Sequence, residues 1–383
     1  MKLKESLLPS ELPDALPLWF SGDGPQSDLV ISTRIRLARN LTNHRFPYHA
    51  QQTERKEIFN EIAAVLNRQP EFKSFSLINC VDITQLDREL LLEERLVSPD
   101  LLNIEGDRGV AIEKNRQTSI MVNEEDHFRL HAIESGFQAE AVWKRLTGLD
   151  DLLGHYLPFA YEVRRGFLTS CPTNSGTGLR VSFLLHLPGL VLAKSIDPVL
   201  LGASQMGIST RGFFGEHSEV VGNLFQLSNQ ATLGAREEEF LQHTRTIITD
   251  VIAHERTARE TILHEAAAEL SDKINRSWGI LLHARLLTVT EFLNLSSALR
   301  LGIDCGMFEE LSRERLNRLT LMIMPAHLQR HLGKTFTEDN LQAVRADFVR
   351  DFLGSAPEPP KRPRARRIQS PGKNNGKRGD TTI

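Results

Sequence analysis

Residues 29–36 read LVISTRIR, a short apolar run that leads directly into two arginines. Similar apolar runs at residues 119–122, 166–169 and 181–187 alternate with amphipathic segments. This mixture predicts an α/β or α+β domain over residues 29–234, preceded by an N-terminal arm over residues 1–28. Because alternate residues of a strand share one face, Arg34 and Arg36 are expected to point the same way.

Strand signals stop near residue 235, and apolar residues then recur at helical spacing. The first such stripe comprises Phe240, Ile247, Val251, Ala258 and Ile262. We therefore predict a helical C-terminal domain over residues 235–354, with Thr290 and Thr337 as helix starts. Residues 355–383, rich in Pro, Gly, Lys and Arg, predict a disordered basic tail.

The composition is that of a globular protein, because 40% of the 383 residues are hydrophobic and 25% are charged. A net charge of −3 does not favour a nucleic-acid partner. Cys80, Cys171 and Cys305 are far apart and lack C-x-x-C spacing, which indicates neither a disulfide framework nor a zinc site. No apolar leader or stretch of about 18 apolar residues predicts membrane insertion, so we expect a cytoplasmic protein.

Five arginines stand beside predicted strands: Arg34, Arg36, Arg129, Arg180 and Arg211. The sequence lacks the G-x-x-x-x-G-K-[ST], G-x-G-x-x-G and H-R-D signatures of other nucleotide-binding proteins. A single arginine is more often a surface ion-pair residue. Converging guanidinium groups, however, can clamp a triphosphate and spread the charge that develops during phosphoryl transfer.

Residues 119–127, SIMVNEEDH, run from a predicted strand into three consecutive carboxylates. A solvated acidic turn is the plain alternative. The functional interpretation is that one carboxylate removes a proton from an acceptor nitrogen and another supports Mg²⁺ or its water shell. A guanidinium group, with a pKa above about 12, needs such a positioned base before it can attack.

Cys171 follows an apolar strand in residues 166–178, GFLTSCPTNSGTG, where Pro, Asn and Gly favour a tight loop. Most isolated cysteines are buried fillers. Polar neighbours here favour a thiolate that positions a cationic substrate without acting as a nucleophile.

These motifs resemble those of the guanidino (phosphagen) kinase family, in the same order between about residues 29 and 234. The matching segments are STRIR, NEEDH with Arg129, CPTNSGTG with Arg180, and RGFFGEHSE. The segments most similar to bacterial protein arginine kinases of McsB type are VSPDLL, SIMVNEEDH, DDLLG, RRGFLTSCPTN, LLHLPGLVL and PAHLQ. The resemblance implies an α+β fold, with an antiparallel sheet flanked by helices and a helical C-terminal domain.

The resemblance also implies ATP and Mg²⁺ as cofactors and assigns roles to residues, with no metal site made by side chains. Glu125 is implied as general base, Glu216 as a second carboxylate on the guanidinium, and Cys171 as a contact to its unreactive nitrogens. The implied ATP contacts are Ser32, Thr33, Arg34, Ile35, Arg36, Arg129, Arg180, Val181, Ser182, Phe183, Leu184, Arg211, Gly212, Phe213, Phe214, Gly215 and Glu216.

The sequence departs from the family pattern in two places. Arg95 stands where the family carries a histidine near the adenine. Residues 341–346, LQAVRA, stand where the bacterial enzymes carry an R-D-x-x-R-A motif that reads phosphoarginine, so only Arg345 and Ala346 match.

The function implied is a protein arginine kinase that marks proteins for regulation or Clp-type proteolysis. Small-substrate members place a helical domain before the first arginine motif, whereas STRIR begins here at Ser32. An open acceptor site suited to a protein side chain is therefore expected. The alternatives are a kinase of free arginine or another small guanidino compound, and a non-catalytic scaffold.

The implied partners are proteins with an accessible arginine, an activator protein, a Clp chaperone–protease and a second copy of the chain. Neither a membrane nor a nucleic acid is expected.

Overall fold

Ten strands and twelve α-helices make up residues 16–103, 106–213 and 219–354, the parts of the chain that the computed structural model describes. The strands are β1 Val30–Arg39, β2 Phe75–Asn79, β3 Gly109–Glu113, β4 Thr118–Val122, β5 Phe128–Ser135, β6 Tyr161–Glu162, β7 Gly166–Phe167, β8 Leu179–His186, β9 Ile208–Arg211 and β10 Leu224–Asn229. The helices are α1 Gln52–Arg68, α2 Gln85–Glu93, α3 Pro99–Asn103, α4 Ala139–Tyr156, α5 Pro188–Leu192, α6 Ile196–Gln205, α7 Glu237–Glu265, α8 Ala267–His283, α9 Val289–Asp304, α10 Arg313–Met322, α11 Pro325–Leu332 and α12 Glu338–Gly354. The predicted basic tail, residues 355–383, lies outside the described residues.

Eight strands form one sheet in the order β2-β3-β4-β5-β1-β8-β10-β9, and neighbouring strands are antiparallel throughout. Strands β6 and β7 form a separate hairpin. The predicted α+β fold with an antiparallel sheet is confirmed. Strand β1 lies between β5 and β8 at the centre, so the STRIR segment is paired on both sides.

The sequence of β1 explains the two faces of the sheet. Ile35 and Leu37 are fully buried in the main core, whereas Arg34 and Arg36 alternate with them on the opposite face. Helices α1, α4 and α7 pack on the apolar face through residues such as Ile58, Val142, Leu146, Ile247 and Val251. The face that carries Arg34 and Arg36 is therefore the one that these helices leave uncovered.

The helices from α8 onward build a second core with the start of the described chain. Trp19 and Phe20, within the predicted N-terminal arm, are buried in that core beside Phe292 and Leu316. Helix α9 begins one residue earlier than the predicted start at Thr290, because the Thr288 hydroxyl accepts the Glu291 amide and caps the helix. Helix α12 begins directly after Thr337, as predicted.

Helix α7 connects the sheet to the helices that follow it. Its middle packs on the sheet, and its last turns, at Ile262 and Leu263, pack against Leu270 and Ile274 of α8 in a smaller apolar cluster. No helix in the described ranges is both long and apolar enough to span a bilayer.

A buried ionic network fixes α7 against its neighbours. Glu255 accepts the backbone amides of Gly189 and Leu190, each at 2.8 Å, and so caps helix α5. Arg259 donates to Glu255 at 2.6 Å and to Asp304 of α9 at 2.9 Å. Because Glu255 is fully buried and the side chains of Arg259 and Asp304 are only 10% and 6% exposed, the network ties the sheet domain to the helical domain with little exposed charge.

We expect Glu255→Ala to destabilise the protein by about 3 kcal/mol, since it leaves a buried arginine and two helix amides without their acceptor. Arg245→Ala is the control on the same helix, because its ion pair with Glu140 is solvent-exposed. That change should cost less than about 1 kcal/mol. Urea unfolding measures both, and equal losses would show that the network does not stabilise the junction.

Candidate active site

Two arginines face each other across the central pair of strands. The register of β1 with β8 places Arg36 opposite Arg180 and Arg34 opposite Ser182. Like charges placed directly opposite in a sheet repel each other. This pairing therefore favours a bound anion between the strands.

Three further arginines extend the same surface. Arg129 lies on β5 opposite Ala38, one diagonal position from Arg36. Arg211 lies on β9 opposite Gln226, whose amide oxygen accepts a 2.9 Å hydrogen bond from Arg34. The sheet thus brings together all five arginines that the sequence singled out, which we name the arginine face.

The electrostatics of the arginine face indicate an anion site. Burial, followed by the charges of Arg95, Arg129 and its other neighbours, lowers the pKa of Arg34 to about 9. Burial, followed by the charges of Arg34, Arg129 and Arg180, holds the pKa of Arg36 well below its usual value. Within the part of the chain that the structure describes, the Nε of Arg36 is buried without a hydrogen-bond partner. A polyphosphate would supply both the missing acceptor and the missing negative charge. The residues present therefore fit ATP.

The acidic turn between β4 and β5 separates its three carboxylates into different environments. Glu124 is buried, and both of its oxygens lie 2.7 Å from Nη1 of Arg129. It also accepts the hydroxyl of Ser98. The pKa of Glu124 is lowered because Arg129 and these hydrogen bonds outweigh its burial. Glu124 is thus a partner of the arginine face and not a free base.

Asp126 instead holds the neighbouring loop in place. It accepts the backbone amide of Ser170 at 2.7 Å and the side-chain amide of Asn40 at 2.6 Å. These bonds attach residues 169–175 to the acidic turn, so the Cys171 loop lies beside Glu125.

Glu125 is only half-buried, and its carboxylate accepts a hydrogen bond from the side-chain amide of Asn174, at 3.2 Å. Burial and then the charge of Asp126 raise the pKa of Glu125. A raised pKa and partial exposure suit a general base. Of the three acids, Glu125 is the one whose oxygens are available to an incoming acceptor.

Cys171 lies at the start of a short 3-10 helix, Pro172–Asn174, the helix that carries Asn174. Its Sγ is 2.9 Å from the hydroxyl of Thr173, and its carbonyl accepts the hydroxyl of Thr169. Thr232 donates to two carbonyls of this loop. The thiol is therefore held by a rigid loop and is partly exposed.

Tyr48 was not identified from the sequence, although it lies on the same side of the site. It is 68% exposed, and desolvation together with the charges of Glu125, Asp100 and Cys171 raises its pKa. No motif marks Tyr48, because its approach to Glu125 depends on the folded chain.

The remaining residues predicted to contact ATP are mostly buried in or beside the central sheet. Ser32 and Thr33 are buried, and the Thr33 hydroxyl donates to the carbonyl of Gly136 at 2.6 Å. Ser182 faces Ser228, whose hydroxyl lies 3.0 Å away. The side chains of the apolar members are packed in the two cores: Ile35, Val181, Phe183 and Leu184.

The RGFFGE segment is only partly described. Arg211 ends β9, Gly212 follows it, and Phe213 is buried in the second core. Phe214, Gly215 and Glu216 lie outside the described residues.

Arg95 lies against Phe213. Its Nη2 donates to the Phe213 carbonyl at 2.6 Å, and its guanidinium lies 4.4 Å from the Phe213 ring centroid and 5.7 Å from that of Trp19. Burial lowers the pKa of Arg95 to about 10. Because its charge also lowers the pKa of Arg34, Arg95 belongs to the surroundings of the arginine face.

Arg345 lies in the helical domain and has a structural position. It is fully buried and donates to the carbonyls of Ile323 and Leu287, each at 2.9 Å. Leu341, at the first position of the aligned motif, is also buried. The motif remnant therefore contributes to the helical core.

Comparison with known families agrees with this geometry. A family model described as the ATP:guanido phosphotransferase C-terminal catalytic domain matches residues 57–258. A solved structure of lombricine kinase is similar with a TM-score of 0.53 at 26% identity, covering 64% of this chain and 70% of that one. The sheet and its arginine face are thus those of a guanidino phosphotransferase.

A second family model, the protein-arginine kinase McsB C-terminal domain, matches residues 267–364. The protein-arginine kinase of Halothermothrix orenii is 40% identical over 335 residues, 88% of this chain and 96% of that protein. The protein-arginine kinase of Bacillus subtilis is 38% identical over 342 residues, 89% and 94% of the two chains. The chain therefore belongs to the ATP:guanido phosphotransferase family and, within it, to the protein-arginine kinases.

Removing one charge from the arginine face should have opposite effects on stability and on binding. We expect Arg36→Gln to stabilise the ligand-free protein by up to about 1 kcal/mol, because cross-strand repulsion falls. ATP affinity should fall about tenfold or more with the loss of a charge-assisted contact. Thermal unfolding and nucleotide titration measure the two effects.

Arg39 provides the control on the same strand, because it is paired with Asp150 at 2.7 Å in the core. Arg39→Gln should destabilise the protein by about 3 kcal/mol. A loss of stability in both variants would contradict the anion site.

The pH dependence of turnover tests Glu125. A base with a raised pKa loses activity as the pH falls through that pKa, because the carboxylate becomes protonated. Asn174→Ala removes a hydrogen bond that lowers the pKa, so the acidic limb of the kcat profile should move to higher pH. Glu125→Gln should reduce kcat by about 100-fold or more. If the acidic limb of the kcat profile has the same midpoint in Asn174→Ala as in the wild type, Glu125 is not the group that accepts the proton.

Proposed function

We propose that this protein transfers the γ-phosphoryl group of ATP to a guanidinium nitrogen of arginine side chains in proteins. The observation that carries the proposal is the arginine face, which ends beside a half-buried carboxylate and a thiol. An anion and a planar cation can therefore meet at one edge of the sheet.

The reaction divides between these two sides. Glu125 accepts a proton from the guanidinium nitrogen as that nitrogen attacks the γ-phosphorus, and the bond from phosphorus to the bridging oxygen of ADP breaks. The products are ADP and an arginine that carries an N-phosphoryl group. The arginine face stabilises the charge that spreads over the equatorial oxygens in the transition state.

The acceptor is oriented by its unreactive nitrogens. Cys171 would lie against them as a thiolate, and Glu216 would bind the guanidinium from another side. Two carboxylates and a thiolate would then hold a planar cation in one orientation, which lowers the entropic cost of reaching the transition state.

Magnesium enters this scheme with the nucleotide. Mg²⁺ prefers phosphate oxygens and water, and it neutralises charge on the β- and γ-phosphates when bound. In residues 16–103, 106–213 and 219–354, no group of three or more His, Cys, Asp or Glu side chains is placed to hold a metal ion. We therefore propose that the protein binds the ion through ATP.

The choice of a protein acceptor rests on two supports. The relatives cited above carry the name protein-arginine kinase and match along most of their length. Exposed apolar side chains also lie on this side of the molecule, with Tyr161 56% and Val163 88% exposed on the hairpin that is paired to the Cys171 loop through Phe167 and Gly176. A polypeptide acceptor can cover such side chains, whereas a free amino acid cannot.

A kinase of a small guanidino compound is the second candidate, and the similarity to lombricine kinase favours it. A scaffold without turnover is the third, and the hydrogen bond from Asn174, three residues after Cys171, to Glu125 supports an active enzyme over it.

Partners and location complete the proposal. A site that needs Cys171 as a thiol requires a reducing compartment, so we propose a cytoplasmic location. We also propose that the protein forms a homodimer and works with an activator and a Clp chaperone–protease.

The acceptor preference can be measured directly. We expect kcat/KM to be at least about 100-fold higher for an arginine-bearing unfolded protein than for free arginine, because the protein contributes binding energy beyond the guanidinium. The phosphorylated product should be acid-labile, as an N-phosphoryl group is. The Glu125→Gln variant, which we expect to have little turnover, serves as the background control for both acceptors. A preference for free arginine would establish the second candidate, and no transfer to either acceptor would establish the scaffold.

A further inference from the structure

Helix α11 of the helical domain meets the C-terminal end of α2 in the sheet domain. His327 is fully buried there, with Nδ1 2.6 Å from a Glu93 oxygen and Nε2 3.5 Å from a Glu94 oxygen. Glu93 also accepts the backbone amides of Ala326 and His327, at 2.7 and 3.0 Å. The end of α2 is therefore held by the start of α11 and by the histidine that follows.

Charges of both signs meet at this contact. Glu94 is also paired with Arg116 at 2.6 Å, and the buried Arg345 lies within electrostatic reach of Glu93. Burial alone would lower the pKa of His327, but Glu93 and Glu94 raise it to about 9. The imidazole is thus a cation near neutral pH, and replacing it with alanine removes one positive charge from beside Glu93 and Glu94.

The residues that directly follow Glu94 reach the arginine face. Arg95 donates to the Phe213 carbonyl two residues after Arg211, and the Leu96 carbonyl accepts the hydroxyl of Ser119 at 2.8 Å. Ser98 donates to Glu124, which holds Arg129. Residues 93–98 therefore connect the helical domain to two members of the arginine face.

The backbone of this segment is also strained. Arg95 has a φ of 62°, in the left-handed region that a side chain with a Cβ rarely adopts. Such a conformation persists only where surrounding contacts enforce it. Here the contacts come from His327 on one side and from Phe213 and Trp19 on the other.

We propose that His327 is a positioning residue for the nucleotide site, because it fixes residues 93–98 and through them Arg95 and the Ser98–Glu124–Arg129 chain. The affinity for ATP then depends on how the helical domain is docked. This inference rests on the proposed function only in taking the arginine face as the ATP site.

A second contact between the same helices distinguishes positioning from simple attachment. Arg330 of α11 is paired with Asp87, six residues before Glu93 on α2. That pair holds the same interface, and Asp87, roughly one and a half turns before Glu93, also accepts the backbone amide and the hydroxyl of Thr84 at the start of α2. Arg330→Ala is therefore a matched control for attachment alone.

The experiment measures the affinity of the full chain for a non-hydrolysable ATP analogue by equilibrium titration, together with thermal unfolding. We expect His327→Ala to weaken binding at least about fivefold and Arg330→Ala less than about twofold, although both lower the melting temperature. In the kinetic assay, His327→Ala should raise KM for ATP more than it lowers kcat. Because titration needs no acceptor, this result is independent of which guanidinium is phosphorylated.

Equal weakening in the two variants, or wild-type affinity in folded His327→Ala, would overturn the proposal. If His327→Ala does not fold, Glu93→Gln takes its place, since it keeps the side-chain shape and removes the charge that His327 contacts. It should weaken ATP binding at least about threefold, and unchanged affinity in that variant would likewise overturn the proposal.

Discussion

Repulsion between arginines on one face of the central sheet is the constraint on which the site depends. Arg36 faces Arg180 across a strand pair, and Arg34 and Arg129 lie within electrostatic reach. Such a face is tolerated because the opposite face buries a large apolar core against α1, α4 and α7. The free energy lost to repulsion becomes binding energy when a polyphosphate enters, so the site is prepared for an anion at the expense of stability.

One buried carboxylate and one buried amide limit that repulsion. Glu124 neutralises Arg129, while Gln226 offers a neutral oxygen to Arg34. Among the described residues, Arg36 has no comparable partner at its Nε. The compensation is therefore partial, and it is least complete at the centre of the sheet. Full compensation by acidic side chains would compete with the phosphates for the same donors.

The sequence predicts some of this arrangement and not the rest, for physical reasons. Alternation in β1 predicts one face for Arg34 and Arg36, because a strand has a period of two residues. Strand periodicity cannot predict which of the three adjacent acids is buried, which is paired and which is available to substrate. Those differences depend on hydrogen bonds from Ser98, Asn40 and Asn174 in distant segments. The predicted helix start at Thr290 is wrong because threonine caps a helix equally well at position 288 or 290. In the folded protein the hydroxyl of Thr288 accepts the Glu291 amide and caps the helix. Arg95 was recognised as a departure, but its packing against Phe213 depends on tertiary contacts.

The raised pKa of Glu125 constrains how the proton leaves the acceptor. A guanidinium group has a pKa above about 12, so even a carboxylate with a raised pKa remains a far weaker base. Complete deprotonation before attack would therefore be steeply uphill. As the nitrogen begins to bond to phosphorus, its lone pair is withdrawn and its remaining protons become more acidic, so transfer to Glu125 becomes favourable only during the reaction. Glu125 then contributes mainly to the transition state, and its position relative to the arginine face matters more than its basicity in the free protein. The bonds from Asn174 to Glu125 and from Asp126 to the Cys171 loop set that position.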